Sequence, residues 1–156
     1  MTEKPDDRRA ATAPAPAPGV HHVGALRAEV VVDQVRAAGG AIGRLDGAAM
    51  RTEAGLFAET ARVLGFPDYF GANWDALSDC LTDLSWLPAP AYLLVVANAG
   101  QVLTDEPQER LGVWRRVMTE AARTWAEPVQ AGEWWDRPPV PFTVLLVESP
   151  PDPRGD

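Results

Sequence analysis

Asp75, Asp79 and Asp83 recur at every fourth position, and carboxylates one helical turn apart are the residues here whose spacing suggests chemistry. Two such groups can share a proton and work as an acid/base pair. A catalytic pair, however, needs a nucleophile, a metal set or a phosphate loop beside it. Cys80 lies among these aspartates, and acidic neighbours work against a reactive thiolate. Its spacing places it on an apolar face, where it reads as a core thiol. His21 and His22 are the only histidines. As neighbours in a strand they point to opposite sides, and they lack Cys or spaced acidic partners for a metal. Glycines 39, 40, 43 and 47 precede and interrupt a strand, with no Gly-Lys-Ser/Thr after them, so no phosphate loop is present. Catalysis by Asp75 and Asp79 is thus unsupported by companions. The other chemistry open to the stripe is recognition. Between Arg62 and Arg110 there is no Lys or Arg, while Asp68, Asp75, Asp79, Asp83, Asp105, Glu106 and Glu109 all fall there. Such a surface is either a solvated face of an acidic protein or a negative patch for a positive partner.

The elements that must position the stripe are legible. Pro67 and Gly71 predict a turn, with Gly71 able to take positive φ. Asn73 is a good N-cap for a helix over Trp74–Leu84, whose Trp74, Leu77, Cys80, Leu81 and Leu84 form one apolar face opposite the aspartates. Before it, Thr52 caps a helix to about Leu64 with Leu56, Phe57, Ala61 and Leu64 inward. Ala41–Leu45 reads as a short strand ending at Asp46-Gly47. Tyr92–Val96 and Phe142–Val147 are continuous apolar runs, as expected of strands covered on both faces. Between them Thr104 or Asp105 is expected to cap a long helix with Pro107 in its first turn, Glu106 and Glu109 near its N-terminus, and Leu111, Trp114, Val117, Met118, Ala121 and Trp125 as its stripe. Val20–Val23 suits a short strand. Leu26–Ala38 mixes a Val30-Val31-Val32 run with helical spacing, and the Gly39-Gly40 stop favours helix. Segment 127–141, rich in Pro, Gly and Trp, reads as a loop, with Trp134 and Trp135 as its anchor or lid on the core or, alternatively, a recognition patch. Strands alternating with helices make a small three-layer α/β domain with a parallel sheet.

The chain has 156 residues, 46% hydrophobic, with six Trp and a net charge of −8. That accommodates one globular domain and disfavours nucleic acid or an anionic membrane as partner, since both call for clustered Lys and Arg. No apolar run approaches the roughly 20 residues of a membrane span, and the N-terminus lacks a signal-peptide apolar region. One cysteine forms no internal disulfide, so the cytoplasm is the expected compartment. Residues 1–19 form an Ala/Pro-rich tail suited to a disordered spacer, 20–150 the domain, and 151–156 a second tail. The closing Arg154-Gly155-Asp156 carries no reading in such a compartment.

The run Pro67-Asp68-Tyr69-Phe70-Gly71-Ala72-Asn73-Trp74-Asp75-Ala76-Leu77-Ser78-Asp79-Cys80-Leu81-Thr82 resembles the signature of the barstar family of ribonuclease inhibitors. The flanking elements come in that family's order, over roughly Ala41 to Glu148. The resemblance implies a three-stranded parallel sheet flanked by helices, here with an N-terminal extension. It also implies no catalysis, no cofactor, and one-to-one inhibition of a small, basic, guanyl-preferring secreted ribonuclease by a protein that is monomeric when free. Carried over, Asp79 enters the enzyme's cationic site and Asp75 pairs with a second cation. Tyr69 packs on its rim or its catalytic His, while Asn73 and the turn at Gly71 supply hydrogen bonds and shape. Phe70, Trp74, Ser78, Thr82 and Asp83 border the contact, and Glu120 on the long helix aligns loosely with an acidic contact. Ser78 replaces a Trp of the best-known member, Phe70 a Tyr, Trp74 a Leu and Asp83 a Gly. These changes leave room for a different basic toxin or regulatory protein as partner.

Overall fold

A computed structural model describes residues 16–148. Most of the Ala/Pro tail and all of the C-terminal tail lie outside the described residues. The order is β1 (Gly19–Val23), α1 (Ala25–Ala37), β2 (Ala41–Asp46), α2 (Glu53–Leu64), α3 (Trp74–Asp83), β3 (Tyr92–Ala97), α4 (Glu109–Ala126) and β4 (Phe142–Val147). The strands form one sheet in the order β1-β4-β3-β2, and every pairing is parallel. Parallel neighbours require crossovers, and the helices supply them.

The expected sheet of three strands has a fourth. β1 pairs with β4 from Gly19↔Thr143 to Val23↔Val147, giving hydrogen-bond partners to an edge that would otherwise stay open. The helix after it resolves the ambiguous valine run. Ala28, Val31 and Val32 are buried on one side of α1, while Glu29, Asp33 and Arg36 face solvent. Its buried stripe covers Leu93, Val95, Leu145 and Val147 on one face of the sheet. The larger core lies on the opposite face. There Tyr92, Leu94, Val96, Phe142, Val144 and Leu146 alternate with that first set and meet α2, α3 and α4. β3 and β4 are therefore apolar at nearly every position because both their faces are covered.

Local signals set most boundaries. Thr52 Oγ1 accepts from Gly55 N at 3.0 Å to cap α2, and Gly65 ends that helix at φ 65°. The start of α4 departs from expectation: neither Thr104 nor Asp105 caps it, and no side chain does. Asp105 instead pairs with Arg51 at 3.0 Å, Thr104 Oγ1 donates to Gln101 O at 2.9 Å, and Glu106 Oε2 accepts from Glu53 N at 2.9 Å. Thus Glu106 serves the first turn of α2, and α4 begins beyond Pro107. Trp114, Met118, Ala121 and Trp125 are buried as its stripe requires, whereas Leu111 is 38% exposed.

Candidate functional site: an acidic helix and the loop before it

The loop 65–73 is built on packing before it presents anything. Phe70 N donates to Pro67 O at 3.0 Å, closing the turn. Phe70 and Phe66 meet edge to face with centroids 4.9 Å apart, and Phe57 and Phe70 do so at 6.3 Å. Phe70 is thus half-buried and holds the loop down. Tyr69, its neighbour, points outward and is 76% exposed. Gly71 does not take the positive φ expected of it; Ala72 does, at 51°. A Cβ on Gly71 would sit 3.3 Å from Asn73 Nδ2, so the glycine makes room for the capping side chain.

Asn73 Oδ1 accepts from Ala76 N at 2.8 Å and starts α3 where the sequence placed it. Leu77, Cys80, Leu81 and Leu84 are buried, and Leu84 closes the helix in the left-handed region at φ 47°. Trp74 is half-buried: its ring meets Phe57 edge to face at 5.0 Å and its Nε1 donates to Glu53 Oε2. Glu53 Oε1 also lies 3.6 Å from Arg110 Nε. Trp74 therefore ties α3 to α2, with only part of its ring left for a partner.

Asp75, Asp79 and Asp83 stand exposed along the outer face, with Ser78 and Thr82 half-buried beside them. Thr82 Oγ1 donates to Ser78 O at 2.9 Å, so its hydroxyl is occupied by the helix itself. Among the described residues no cation pairs with Asp68, Asp75, Asp79 or Asp83; the one side-chain partner is Ser85 Oγ, donating to Asp83 Oδ2 at 3.3 Å. Arg51 pairs with Asp105, and Arg110 lies against Glu53. The stripe's field reaches inward. Burial, then the charges of Asp83 and Asp79, push the Cys80 thiol above its ordinary range, and burial does the same to the Tyr92 hydroxyl, with Asp83 adding to it. Cys80 is accordingly a poor nucleophile.

The structure brings Tyr69, Gly71, Asn73, Asp75, Ser78, Asp79, Thr82 and Asp83 onto the loop and one helix face. Phe70 and Trp74 are mainly supports of that surface. Glu120 sits on α4, exposed and paired with Arg123 at 2.7 Å. α4 is the neighbour of α3: Trp125 Nε1 donates to Leu81 O at 2.8 Å. His21 and His22 remain on β1, and among the described residues no three His, Cys, Asp or Glu side chains are placed to hold a metal. No described helix is long and apolar enough to cross a membrane.

Reading Trp134 and Trp135 as a core anchor or lid fails, because they are 89% and 52% exposed and stack on each other edge to face, 5.5 Å apart. The anchor of their loop is Arg137. Its guanidinium lies 4.3 Å from the Trp125 ring centroid and donates to Trp125 O and Glu127 O at 3.2 and 3.1 Å. An arginine after a Pro/Gly-rich turn was a visible signal that pattern reading left unused.

The family model described as barstar, the barnase inhibitor, matches residues 41–147, well over half of the chain. No curated protein matches the sequence significantly.

Proposed function

This chain belongs to the barstar family, and from that premise we propose that it inhibits a small, basic, guanyl-specific secreted ribonuclease by docking α3 and the 65–73 loop into the enzyme's active site. One observation carries the reading: Asp75, Asp79 and Asp83 form an exposed row with which no cation among the described residues is paired, on a helix whose other face is fixed in the core. An enzyme that holds RNA phosphates lines its site with Arg, Lys and His, and carboxylates can take the phosphate positions by charge-assisted hydrogen bonds. In this reading Asp79, at the middle of the row, enters deepest, with Asp75 meeting a cation beside it and Tyr69 covering the rim. The complex is one to one. It forms in the cytoplasm of the producing cell before the enzyme is exported, and this chain contributes no catalysis of its own.

Opposite fields steer such partners together, so association is fast and falls with ionic strength. The test is cleavage of RNA by a ribonuclease of that class, titrated with this protein and with its Asp79→Ala variant. Stoichiometric inhibition by the wild type, weakened by roughly 30-fold or more in a variant that melts normally, is expected of a desolvated charge pair. Equal inhibition by both would remove Asp79 from the site. A second reading is favoured by the small side chains at Ser78 and Thr82 and by Asp83 at the end of the row: the same face would serve as an immunity or interaction module against another basic toxin or regulatory protein. Absence of inhibition by a folded wild type would move the choice to that reading.

A further inference from the structure

The acidic helix lacks what tight interfaces are built on. Its outward side chains are short, whereas the residues that dominate binding energy are Trp, Tyr and Arg at the centre of a contact. The large exposed apolar side chains among the described residues are Leu26, Tyr69, Leu111, Trp134 and Trp135. Tyr69 flanks the N-terminal end of α3. The base of the loop that carries the two tryptophans lies near the other end of α3, as a chain of contacts shows. Leu81, in the last turn of α3, is bonded to Trp125 near the end of α4, and Arg137 covers the Trp125 ring. The Tyr92 hydroxyl feels both Arg137 and Asp83. The loop carrying the tryptophans thus springs from the end of α4 that packs beside the last turn of α3.

That loop is ordered by its own bonds. Val129 and Arg137 pair as an antiparallel bridge, with N–H···O distances of 2.9 and 3.0 Å in the two directions. Beyond the bridge the Asp136 carboxylate accepts from Ala131 N at 2.9 Å and Gly132 N at 2.7 Å, closing the tip. Burial opposes ionisation of Asp136, yet these amides and that of Glu133 outweigh it and hold the carboxyl below its ordinary value. Two bare indoles on a braced hairpin lose little conformational freedom when covered.

We propose that the 127–141 loop is a second contact arm of the inhibitor, in which the Trp134–Trp135 pair receives Arg or Lys side chains from the rim of the same basic ribonuclease. Charge chemistry selects this occupant: a surface rich in guanidinium and ammonium groups satisfies the carboxylates of α3 and packs against indole faces by cation–π contact. The inference rests on the inhibitor reading above, and the experiment separates the two.

The full chain is compared with Trp134→Ala/Trp135→Ala, Trp134→Phe/Trp135→Phe and Asp79→Ala in inhibition and binding kinetics against a small basic guanyl-specific secreted ribonuclease. The double alanine variant should bind about 10- to 100-fold more weakly, almost wholly through faster dissociation, because the steering charges remain. Its melting temperature should stay within about 2 °C of wild type, since exposed side chains away from the core carry little stability. The phenylalanine pair should recover most of the affinity. Wild-type affinity in the double alanine variant, alongside a loss with Asp79→Ala, would overturn the arm and leave the inhibitor reading standing. So would a weakened variant whose melting temperature drops by more than about 5 °C, which would assign the pair to folding. No inhibition by the wild type would overturn both.

Discussion

Replacing Asp83 by Asn should make the protein more stable while making it a slower binder. Asp83 is the last residue of α3, one turn beyond Asp79, and no cation among the described residues is ion-paired with it. A like-charge pair at that spacing costs about 0.2–0.5 kcal/mol in an isolated helix. An anion among the free carbonyls of a helix C-terminus costs about 0.3–1 kcal/mol more. Asparagine removes both while keeping an acceptor for Ser85 Oγ, which donates to this side chain at 3.3 Å. The sum is a gain of about 0.5–1.5 kcal/mol, which for a domain of this size raises the melting temperature by roughly 2–6 °C. Thermal unfolding at about 20 mM and about 500 mM salt is the assay. Screening shortens the reach of these charges from roughly 20 Å to about 4 Å, so most of the difference should vanish at high salt. The Cys80 thiol, pushed up by burial and then by Asp83 and Asp79, should alkylate somewhat faster in the variant at a fixed pH. A variant no more stable than wild type at low salt would show that the row does not repel itself, and the reasoning would fail there.

Acidification should erode stability in a defined window. The Arg44 hydrogen bond holds the Glu29 carboxyl below its usual range, Asn98 and then the Ala48 amide do so for Asp46, and Asp136 is lowered as described above. Groups with depressed folded pKa values contribute fully above the unfolded values, about 3.9–4.3, and lose that contribution as pH falls through the folded ones. Urea midpoints should therefore hold from pH 7 to about pH 5 and decline below about pH 4, less steeply in Asp46→Asn; identical declines would exclude Asp46. Gly47→Ala should destabilise by about 2 kcal/mol or more, because a Cβ there would lie 2.1 Å from the Asn98 carbonyl oxygen, a backbone atom with no easy retreat. An unaltered urea midpoint for that variant would show that the 47–49 turn and the Asn98 turn can move apart.

Legibility followed the range of the forces involved. Thr52 and Asn73 cap their helices through bonds to residues three positions on, so a short window contains the whole cause. β3 and β4 announce themselves because burial on both faces leaves no polar position to confuse the pattern. The start of α4 was misread because Asp105 and Glu106 are satisfied by Arg51 and the Glu53 amide, partners more than 50 residues away in sequence. Val20–Val23 was legible as a strand, but its place as fourth member of the sheet is set by a register against β4 that nothing local encodes. At the candidate site the carboxylate row, the turn and the cap were all visible. Half-burial of Phe70 was not, since it depends on Phe57 from another helix, whereas Trp74 lies on the apolar face that its spacing assigned to it. Nor was exposure of the tryptophan pair, which follows from Arg137, rather than either indole, bracing the loop.

The pairing of β1 with β4 has a consequence in time. β2 meets β3, and β3 meets β4, each across one intervening segment, but Gly19 must find Thr143 across nearly the whole described chain. Non-local closure of this kind is slow, because loop entropy must be lost before the contacts compensate it. During synthesis β1 and α1 leave the ribosome ahead of the other described elements and wait for β4, the last of the described strands, before their edge can zip. Until then the part of α1's seat that Leu145 and Val147 supply is missing. The unit that lies outside the matched family region is thereby a late-closing clasp, and refolding should show a slow phase in which α1 docks last.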